Sequence, residues 1–575
     1  MKVKVEREWN KDGLLTPGDY KTTKEIFLRI ANMIPNAKIL ANLDEHNNIV
    51  YHTSVDILND IEKIGNAFLN LGLKDKHIAI LADNSYEYII TDMAIVSGLG
   101  VVTPIDRDAP EDLLTTLLNK CEANAVVCSS FELVKLNKIK EKCPMIEHII
   151  TIDKKVEGVL YLKELMDSVS LEDNKYRELE IDVDKTCQLL FTSGTTGPNK
   201  LVKISQKNMA ANMINCIDSI RGWNDETNTS MSILPMHHAT EINTHILPRI
   251  AVGRLTYIND SMKTMMQNIK IFKPYIITVV PMVANMFYKT IWQMAKKSGK
   301  DAKLKKGIKL CKLLSKLGID ISHKLLKDVY APFGGNLKQI VCGGAALNPE
   351  VVKGLRDLGI FIVNGYGITE CGPLVSMNTE TVKEVYSIGK ACPKLSVKID
   401  KPDENGVGEL CVKGNSVSSG YYKDEEATKK SFDKDGYFHT GDSARIDSEG
   451  RIFLSGRKKN TIVLENGKNV YPEEIETEID NSLDYVKESV VYDAEIVVGK
   501  EERKVICVGL FLDQEQPKTK EEIKQDILKL NQKLPVYKRI AYVDIVDSEY
   551  EKTSTRKIKR EPAAARHTKD KGIIV

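Results

Sequence analysis

The chain has 575 residues, of which 42% are hydrophobic and 28% charged, and its formal net charge is only +2. That length exceeds what one core can serve and calls for at least two domains, with three or four subdomains between them. The near-neutral balance, without any recognition motif, argues against nucleic acid as a partner.

The eleven cysteines form no CxxC pair and sit in apolar runs such as AVVCSS and QIVCGG, so they read as reduced core residues in a reducing cytoplasm. No signal peptide opens the chain, and no run of about 18 apolar residues could span a bilayer. A cytoplasmic protein is therefore expected.

Residues 1–20 are polar and read as an N-terminal arm. From about residue 55 the pattern turns α/β. HIAILA (77–82) is a buried-strand run, and SYEYIITDMAIVSGLG (85–100) has helical periodicity. VVTPI (101–105) reads as a strand, PEDLLTTLLNKC (110–121) as a helix opened by proline, and AVVCSS (125–130) as a third strand. Alternating strands and helices imply a parallel sheet covered on both faces.

Residues 191–200 read FTSGTTGPNK. Strand-like QLLFTS precedes this stretch and strand-like KLVKIS follows, with the helix QKNMAANMINCIDSI only after that. A Walker A loop joins strand to helix and needs Gly-Lys-Ser/Thr; here Lys200 lies between Asn199 and Leu201. The P-loop reading fails on both counts. A hydroxyl-rich loop able to wrap an anion and a plain Gly/Thr hairpin turn both remain open.

From about 380 short strands alternate with turns: LSVKID, GELCVKG and FLSGRKKNTIVLENGKNVYP. Asp435-Gly436, Glu449-Gly450 and Asn466-Gly467 are turn signals. A smaller α/β unit follows, with helix PEEIETEIDN, strands near 487–511, helix KEEIKQDILKLNQKL and a strand near 540–546. The expected division is an arm to 20, a large domain over 21–455 whose β-rich part covers about 380–455, and a small domain over 456–575.

Six further stretches are LPMHHATE (234–241), CGGAAL (342–347), NGYGITECGP (364–373), HTGD (439–442), GRKKNTIVLENGKNVYPEEIE (456–476) and STRKIKR, near the C-terminus. Together with TSGTTGPNK, and in this order, they resemble the AMP-forming adenylating enzymes, over roughly residues 50–565. The resemblance implies an α/β fold: a large N-terminal domain of two α/β subdomains plus a β-rich, barrel-like subdomain, then a small mobile α+β C-terminal domain.

It also implies roles. Thr192, Ser193, Gly194, Thr195, Thr196, Gly197 and Lys200 would hold the β- and γ-phosphates of ATP, glycines letting N–H groups approach the oxygens. Pro198-Asn199 and Leu201 depart from the usual order of that loop. Asn364, Gly365, Tyr366 and Gly367 would line the nucleotide, with the Tyr366 ring on adenine. Thr369 would donate to the α-phosphate, and Glu370 would bind Mg²⁺, a hard ligand beside phosphate; alone, Glu370 reads as a surface carboxylate paired with lysine. The sequence identifies no partnered base for Cys371, and the resemblance implies no enzyme thiol, so it is not taken as a nucleophile. Gly344, Ala345 and Ala346 would approach adenine, or simply form a tight turn after QIVC. Asp442 would accept from the ribose hydroxyls, supported by Arg457, whose plainer alternative is a surface ion pair. Lys459 stands at the hinge position. Lys557 would bridge carboxylate and phosphate as charge builds, although Arg556 stands where a glycine usually precedes it.

The implied reaction has two halves: a carboxylate attacks the α-phosphorus of Mg·ATP, then a thiol, usually that of coenzyme A, attacks the acyl-adenylate. LPMHHATE resembles the long-chain fatty acyl-CoA synthetase branch, with His238 gating an acyl channel also lined by Glu241, Pro281, Gly343 and Gly344; the alternative for His238 is a satisfied histidine in a turn. Residues 296–327 carry eleven lysines against two acids, with leucines and isoleucines near helical spacing. That segment suits either peripheral contact with an anionic membrane or a solvated helix packed on the core, and Gly307 and Gly318 are expected to break it. Two rival functions stay open: loading of an acyl-carrier protein in trans, and non-catalytic sensing of nucleotide or acyl-CoA. The oligomeric state is not readable.

Overall fold

A computed structural model of the chain describes residues 20–192, 200–219, 227–315, 317–319, 321–345, 347–378, 385–464, 468–498, 501–552, 558–568 and 572–575. The chain divides into two compact units; the first runs to Thr192 and includes Lys200–Ser396 and Val412–Phe438, and the second includes Val397–Cys411 and His439–Val575.

Two sheets build the first unit. In the seven-stranded sheet the order is Leu160–Tyr161, His148–Thr151, Ala125–Cys128, His77–Leu81, Val101–Pro104, Thr186–Phe191 and Leu201–Ser205. The first six are parallel and the last is antiparallel. The inner strands Ala125–Cys128 and Val101–Pro104 are buried along their whole length, as continuous apolar runs between helical layers must be. The expected helix at 85–100 forms as Tyr86–Ala94, capped by Ser85, and runs on into a π-helical turn at Ile95–Leu99.

The nine-stranded sheet has the order Lys390–Ala391, Leu374–Asn378, Phe361–Gly367, Gln339–Cys342, Ile276–Val279, Ser230–Ser232, Thr256–Ile258, Lys38–Leu43 and Ile49–Thr53. Its six inner strands are parallel, and three antiparallel strands close its edges. Regular structure therefore begins well before residue 55. Helix Thr23–Met33 starts at the cap Thr22, and strand Lys38–Leu43 pairs with Thr256–Ile258. That pairing spans more than two hundred residues, so no local pattern announces it.

Helix Tyr86–Ala94 buries an acid. Asp92 is fully buried, and neither carboxylate oxygen has a hydrogen-bond partner among the described residues. Burial alone pushes its carboxyl up to about 7, so in mild acid it sits protonated and uncharged and it ionises only around neutrality. The Tyr88 hydroxyl, one helical turn back, is equally buried and, among the described residues, without a hydrogen-bond partner.

In the lysine-rich segment, Gly307 does not break the helix. It lies inside Asp301–Ser315, where an added Cβ would come within 2.9 Å of Leu326 Cδ2. Close packing is why glycine stands there. Gly318, at φ +75°, follows the end of that helix, and Ile319 N–H donates back to Leu314 O at 3.1 Å, a helix-ending pattern that favours glycine.

Most of a four-stranded sheet falls in the second unit, its order being Leu395–Asp400, Gly408–Gly414, Phe438–Ile446 and Ile452–Arg457. The second unit also holds an α+β body. There Val486–Val498 pairs antiparallel with Glu501–Leu512, which runs parallel to Ile540–Val546. Helices Pro472–Ser482 and Lys520–Lys533 bury Ile475, Ile479, Ile523 and Ile527 in the core of this body. All eleven cysteines of the chain are free and buried, and among the described residues no helix is long and apolar enough to cross a membrane.

Candidate active site

The site residues of the first unit gather at the carboxyl ends of parallel strands. Strands Ile276–Val279, Gln339–Cys342 and Phe361–Gly367 are neighbours in register, Cys342 facing both Val279 and Asn364. Pro281, Gly343–Gly344 and Gly365–Tyr366 therefore emerge from one edge, where ligands of α/β sheets bind. Gly344 has φ +88° and is exposed, while Gly343 leaves so little room that an added Cβ would lie 3.3 Å from Gly365 O. Ala345 is exposed beside them; Ala346 lies outside the described residues. Tyr366 is 8% exposed, opposite Ser376 in the antiparallel pair.

After Gly367 the chain makes a 3₁₀ turn, Thr369–Cys371, and returns as Leu374–Asn378. Gly372 closes that turn at φ +100°, where an added Cβ would meet Ser416 O at 2.7 Å. Ser418 N–H donates to Glu370 O at 2.8 Å and fixes the turn from behind. Thr369 and Glu370 are both half-buried.

Glu370 Oε1 accepts the Tyr421 hydroxyl at 2.9 Å, and Lys200 Nζ lies 4.5 Å from the centre of the Tyr421 ring. Tyr421 thus joins the lysine that closes the candidate phosphate loop to the carboxylate of the YGITE stretch. Burial, reinforced by Glu370, raises its phenol well above the ordinary range, so it stays a neutral donor. Sequence reading missed Tyr421. Its position depends on residues 420–422 running beside strand Leu201–Ser205, through Lys203 N–H to Gly420 O at 3.0 Å and Tyr422 N–H to Leu201 O at 2.7 Å.

The loop joins strand to strand as expected. Phe191 pairs with Leu201, and Thr192 N–H donates to Lys200 O at 2.9 Å. Ser193, Gly194, Thr195, Thr196 and Gly197 lie outside the described residues.

LPMHHATE forms a turn after strand Ser230–Ser232 and enters a π-helical segment, Thr240–Ile246. His238 is half-buried, 4.1 Å ring to ring from His237. Glu241 is fully buried and bonded to His245 Nδ1 at 2.9 Å, one helical turn on. Burial, with Arg107 nearby, lowers His237 to about 4, so it stays neutral.

In the second unit Asp442 and Arg457 face each other across paired strands, with Arg457 Nε 2.9 Å from Asp442 Oδ1. Asp442 is 6% exposed. Behind them stands Glu409, a residue sequence reading did not single out. It accepts from Lys458 Nζ at 2.7 Å, from Gly441 N–H at 3.0 Å, and lies 3.0 Å from His439 Nδ1. Burial alone would raise its carboxyl; Lys458 and His439 outweigh that and hold it below the ordinary range. Asp400, Glu409 and His439 converge as three metal-type ligands, but the Lys458 ammonium already supplies the cation that Glu409 binds.

Lys459 is exposed in the 3₁₀ turn Lys458–Asn460, after strand Ile452–Arg457. Lys557 lies outside the described residues. Its flanks are anchored: Lys552 bridges to Ile558, and Arg560 forks onto Glu476 at 2.5 and 2.7 Å while donating to Val491 O at 3.0 Å.

Adenylating chemistry is one use of such residues, and the comparisons with known proteins bear on it. The model of the AMP-binding enzyme family matches residues 32–422, and that of the AMP-binding enzyme C-terminal domain matches 459–570. The chain belongs to this family. It is 25% identical over 492 residues to a long-chain-fatty-acid–CoA ligase 5 of Rattus norvegicus, covering 80% of this chain and 71% of the relative. To the long-chain-fatty-acid–CoA ligase ACSBG1 of Rattus norvegicus it is 26% identical, over 75% of this chain but 63% of the relative, less than two thirds of that protein's length. The fold is similar to that of the anthranilate CoA ligase AuaEII in complex with anthranoyl-AMP, with TM-score 0.76, 19% identity, and coverage of 96% of this chain and 98% of the other.

Proposed function

We propose that the protein is an ATP-dependent acid–thiol ligase. A carboxylate oxygen attacks the α-phosphorus of ATP, and the bond to pyrophosphate breaks. The sulfur of coenzyme A then attacks the acyl carbon, the thiol proton leaves, and the bond to AMP breaks. The acid is proposed to be a medium- to long-chain fatty acid; the two rat ligases and the LPMHHATE turn support that, while the anthranilate ligase keeps aryl acids in the test.

One observation carries the reading: Glu370 and Thr369 stand on a turn at the carboxyl edge of the parallel sheet, and Tyr421 links them to Lys200, its hydroxyl on Glu370 and its ring under the lysine. The chemical obstacle is the approach of two anions. Glu370 suits Mg²⁺, because it is a half-buried carboxylate oriented by a neutral phenol, and among the described residues no ammonium pairs with it. The ion would supply charge neutralisation at the phosphates. Thr369 donates to the α-phosphate, Lys200 and the loop of Thr192 to Gly197 hold the outer phosphates, and Tyr366 with Gly344 receives adenine. The reading assigns to the second unit Asp442 and Arg457 for the ribose, and Lys557 for the incoming carboxylate. His238, with Glu241, Pro281 and Gly343, is assigned to the acyl path, and Lys459 to the hinge.

Acid-dependent exchange of pyrophosphate into ATP tests the first half, over straight-chain acids of increasing length and aryl acids; thioester formation with coenzyme A tests the second. Exchange with fatty acids, and thioester only when coenzyme A is present, is expected. Lys557→Ala is expected to abolish exchange and to spare thioester formation from preformed acyl-adenylate. No exchange with any acid rejects the enzyme reading. Exchange without thioester to coenzyme A moves the acceptor to a carrier protein.

A further inference from the structure

Eight of the 21 large apolar side chains exposed among the described residues fall between Met282 and Leu325, so they form a local concentration rather than the usual scatter. Helix Asp301–Ser315 lies in that stretch. Its inner side is ordinary: Leu304 and Cys311 are buried and Ile308 packs on the same core, beneath the nine-stranded sheet. Its outer side departs from a solvated face. Leu310 is 44% exposed, Leu313 is 60%, and Leu317, just past the helix end, is 71%.

Lysines frame those leucines. Lys306 and Leu310, and Lys309 and Leu313, are one helical turn apart and so lie side by side. Lys303, Lys305, Lys306 and Lys309 are all exposed. Lys300 and Lys312 are tied to Asp328 at 2.9 Å and to Asp357 at 2.6 Å. Among the described residues Lys305, Lys306 and Lys309 form no ion pair, which leaves their charge for a partner. Over residues 296–327 only Asp301 and Asp320 oppose eleven lysines, in a chain that is otherwise near balance.

We infer that this outer face docks on an anionic lipid surface, with Leu310, Leu313 and Leu317 entering the headgroup–acyl boundary and Lys305, Lys306 and Lys309 over the lipid phosphates. Charge complementarity selects the occupant. A protein groove would accept the leucines without needing unpaired lysines on every side, and a nucleic acid would use the lysines and leave the leucines in water. A lipid surface uses both at one depth, because lysine stems are long enough to reach the phosphates from beside a seated leucine. The inference stands independently of the proposed reaction.

The test is flotation of the full chain with vesicles of phosphatidylglycerol or of phosphatidylcholine, at low and high salt. The expected results are binding to phosphatidylglycerol and not to phosphatidylcholine, weakened by salt. The triple variant K305Q/K306Q/K309Q is expected to bind at least tenfold more weakly. The double variant L313S/L317S is expected to lose at least tenfold as well, with unchanged thermal unfolding. Should the double variant unfold early, L317S alone, past the helix end, carries the same test. Failure to bind phosphatidylglycerol overturns the inference. So does equal binding to both lipids, or full binding by the leucine variants, which would leave only non-specific attraction. Tighter binding to an acidic protein or to duplex RNA than to phosphatidylglycerol also overturns it, by giving the face another occupant.

Discussion

Glu370 in the first unit and Asp442 in the second are both carboxylates of the candidate constellation, yet they are held in opposite ways. Glu370 is oriented by the neutral Tyr421 hydroxyl, whereas Asp442 is paired with the Arg457 guanidinium. The same contrast runs deeper into each unit. Asp92 of the first is buried without a partner and pushed up to about 7, while Glu409 of the second is held charged by Lys458 and His439. A carboxylate oriented by a neutral donor keeps its charge for a cation. One that is already ion-paired acts by geometry, or by sharing its partner. The contrast separates the group proposed to meet a metal from groups that hold strands in register.

The buried acids should show it most strongly. The folded state raises the Asp92 carboxyl to about 7 from an ordinary 3.8. The sign is therefore that stability is full at low pH and falls as pH rises between those values, after which the loss is complete. Asp92→Asn should remove that dependence, changing the stability difference from the parent by up to about 4 kcal/mol across the window. Denaturant titrations from acid to neutral pH read this directly; parallel curves for both proteins would mean that Asp92 is not protonated in the fold.

Next comes Glu370→Gln, which keeps shape and removes charge. It should lower acid-dependent pyrophosphate exchange by on the order of 10²-fold, the loss expected when an electrostatic group leaves a reacting centre. Near-normal exchange in this variant would erase the distinction between Glu370 and the ion-paired acids.

Glu409→Gln should act on stability with the opposite pH sign. Its folded carboxyl lies below the ordinary 4.5, so its contribution is present above that value and is lost as pH falls through the folded pKa. At neutral pH the variant should lose about 1–3 kcal/mol, through weakened contacts to Lys458, His439 and Gly441 N–H. A deficit that grows in acid would contradict the assignment.

The smallest effect belongs to Tyr421→Phe. Losing one neutral hydrogen bond to Glu370 is worth about 0.5–1.5 kcal/mol, hence roughly a two- to tenfold drop in exchange. Since Phe retains the ring under Lys200, folding should be unchanged. A drop as large as that of Glu370→Gln would give the hydroxyl a part beyond orientation.

Much of this was legible locally. HIAILA, VVTPI and AVVCSS become the central strands of the seven-stranded sheet, because continuous apolar runs bounded by turns have no other stable place. The strand–loop–strand reading around Lys200 holds for the same reason. The early α/β elements were not legible: the apolar run of strand Lys38–Leu43 is broken by Asn42, and its partner lies at Thr256–Ile258. Gly307 was misread as a breaker because its neighbour Leu326 comes from a later turn, between the short helices Ser322–Leu325 and Lys327–Tyr330. Tyr421 and Glu409 carried no signal, since each matters only through partners distant in the chain: Glu370 for the tyrosine, and His439, Gly441 and Lys458 for the glutamate.

What the amino-acid order determined alone was local: which runs are strands, where helices begin, and which residue types recur in the spacing of adenylating enzymes. Periodicity, capping and turn chemistry act within a few residues and need no fold to operate. Only the tertiary structure decided which carboxylate meets a phenol, which meets a guanidinium and which is left without a partner. Those outcomes depend on burial and on a few ångströms between distant segments, where the strength of a charge interaction is set.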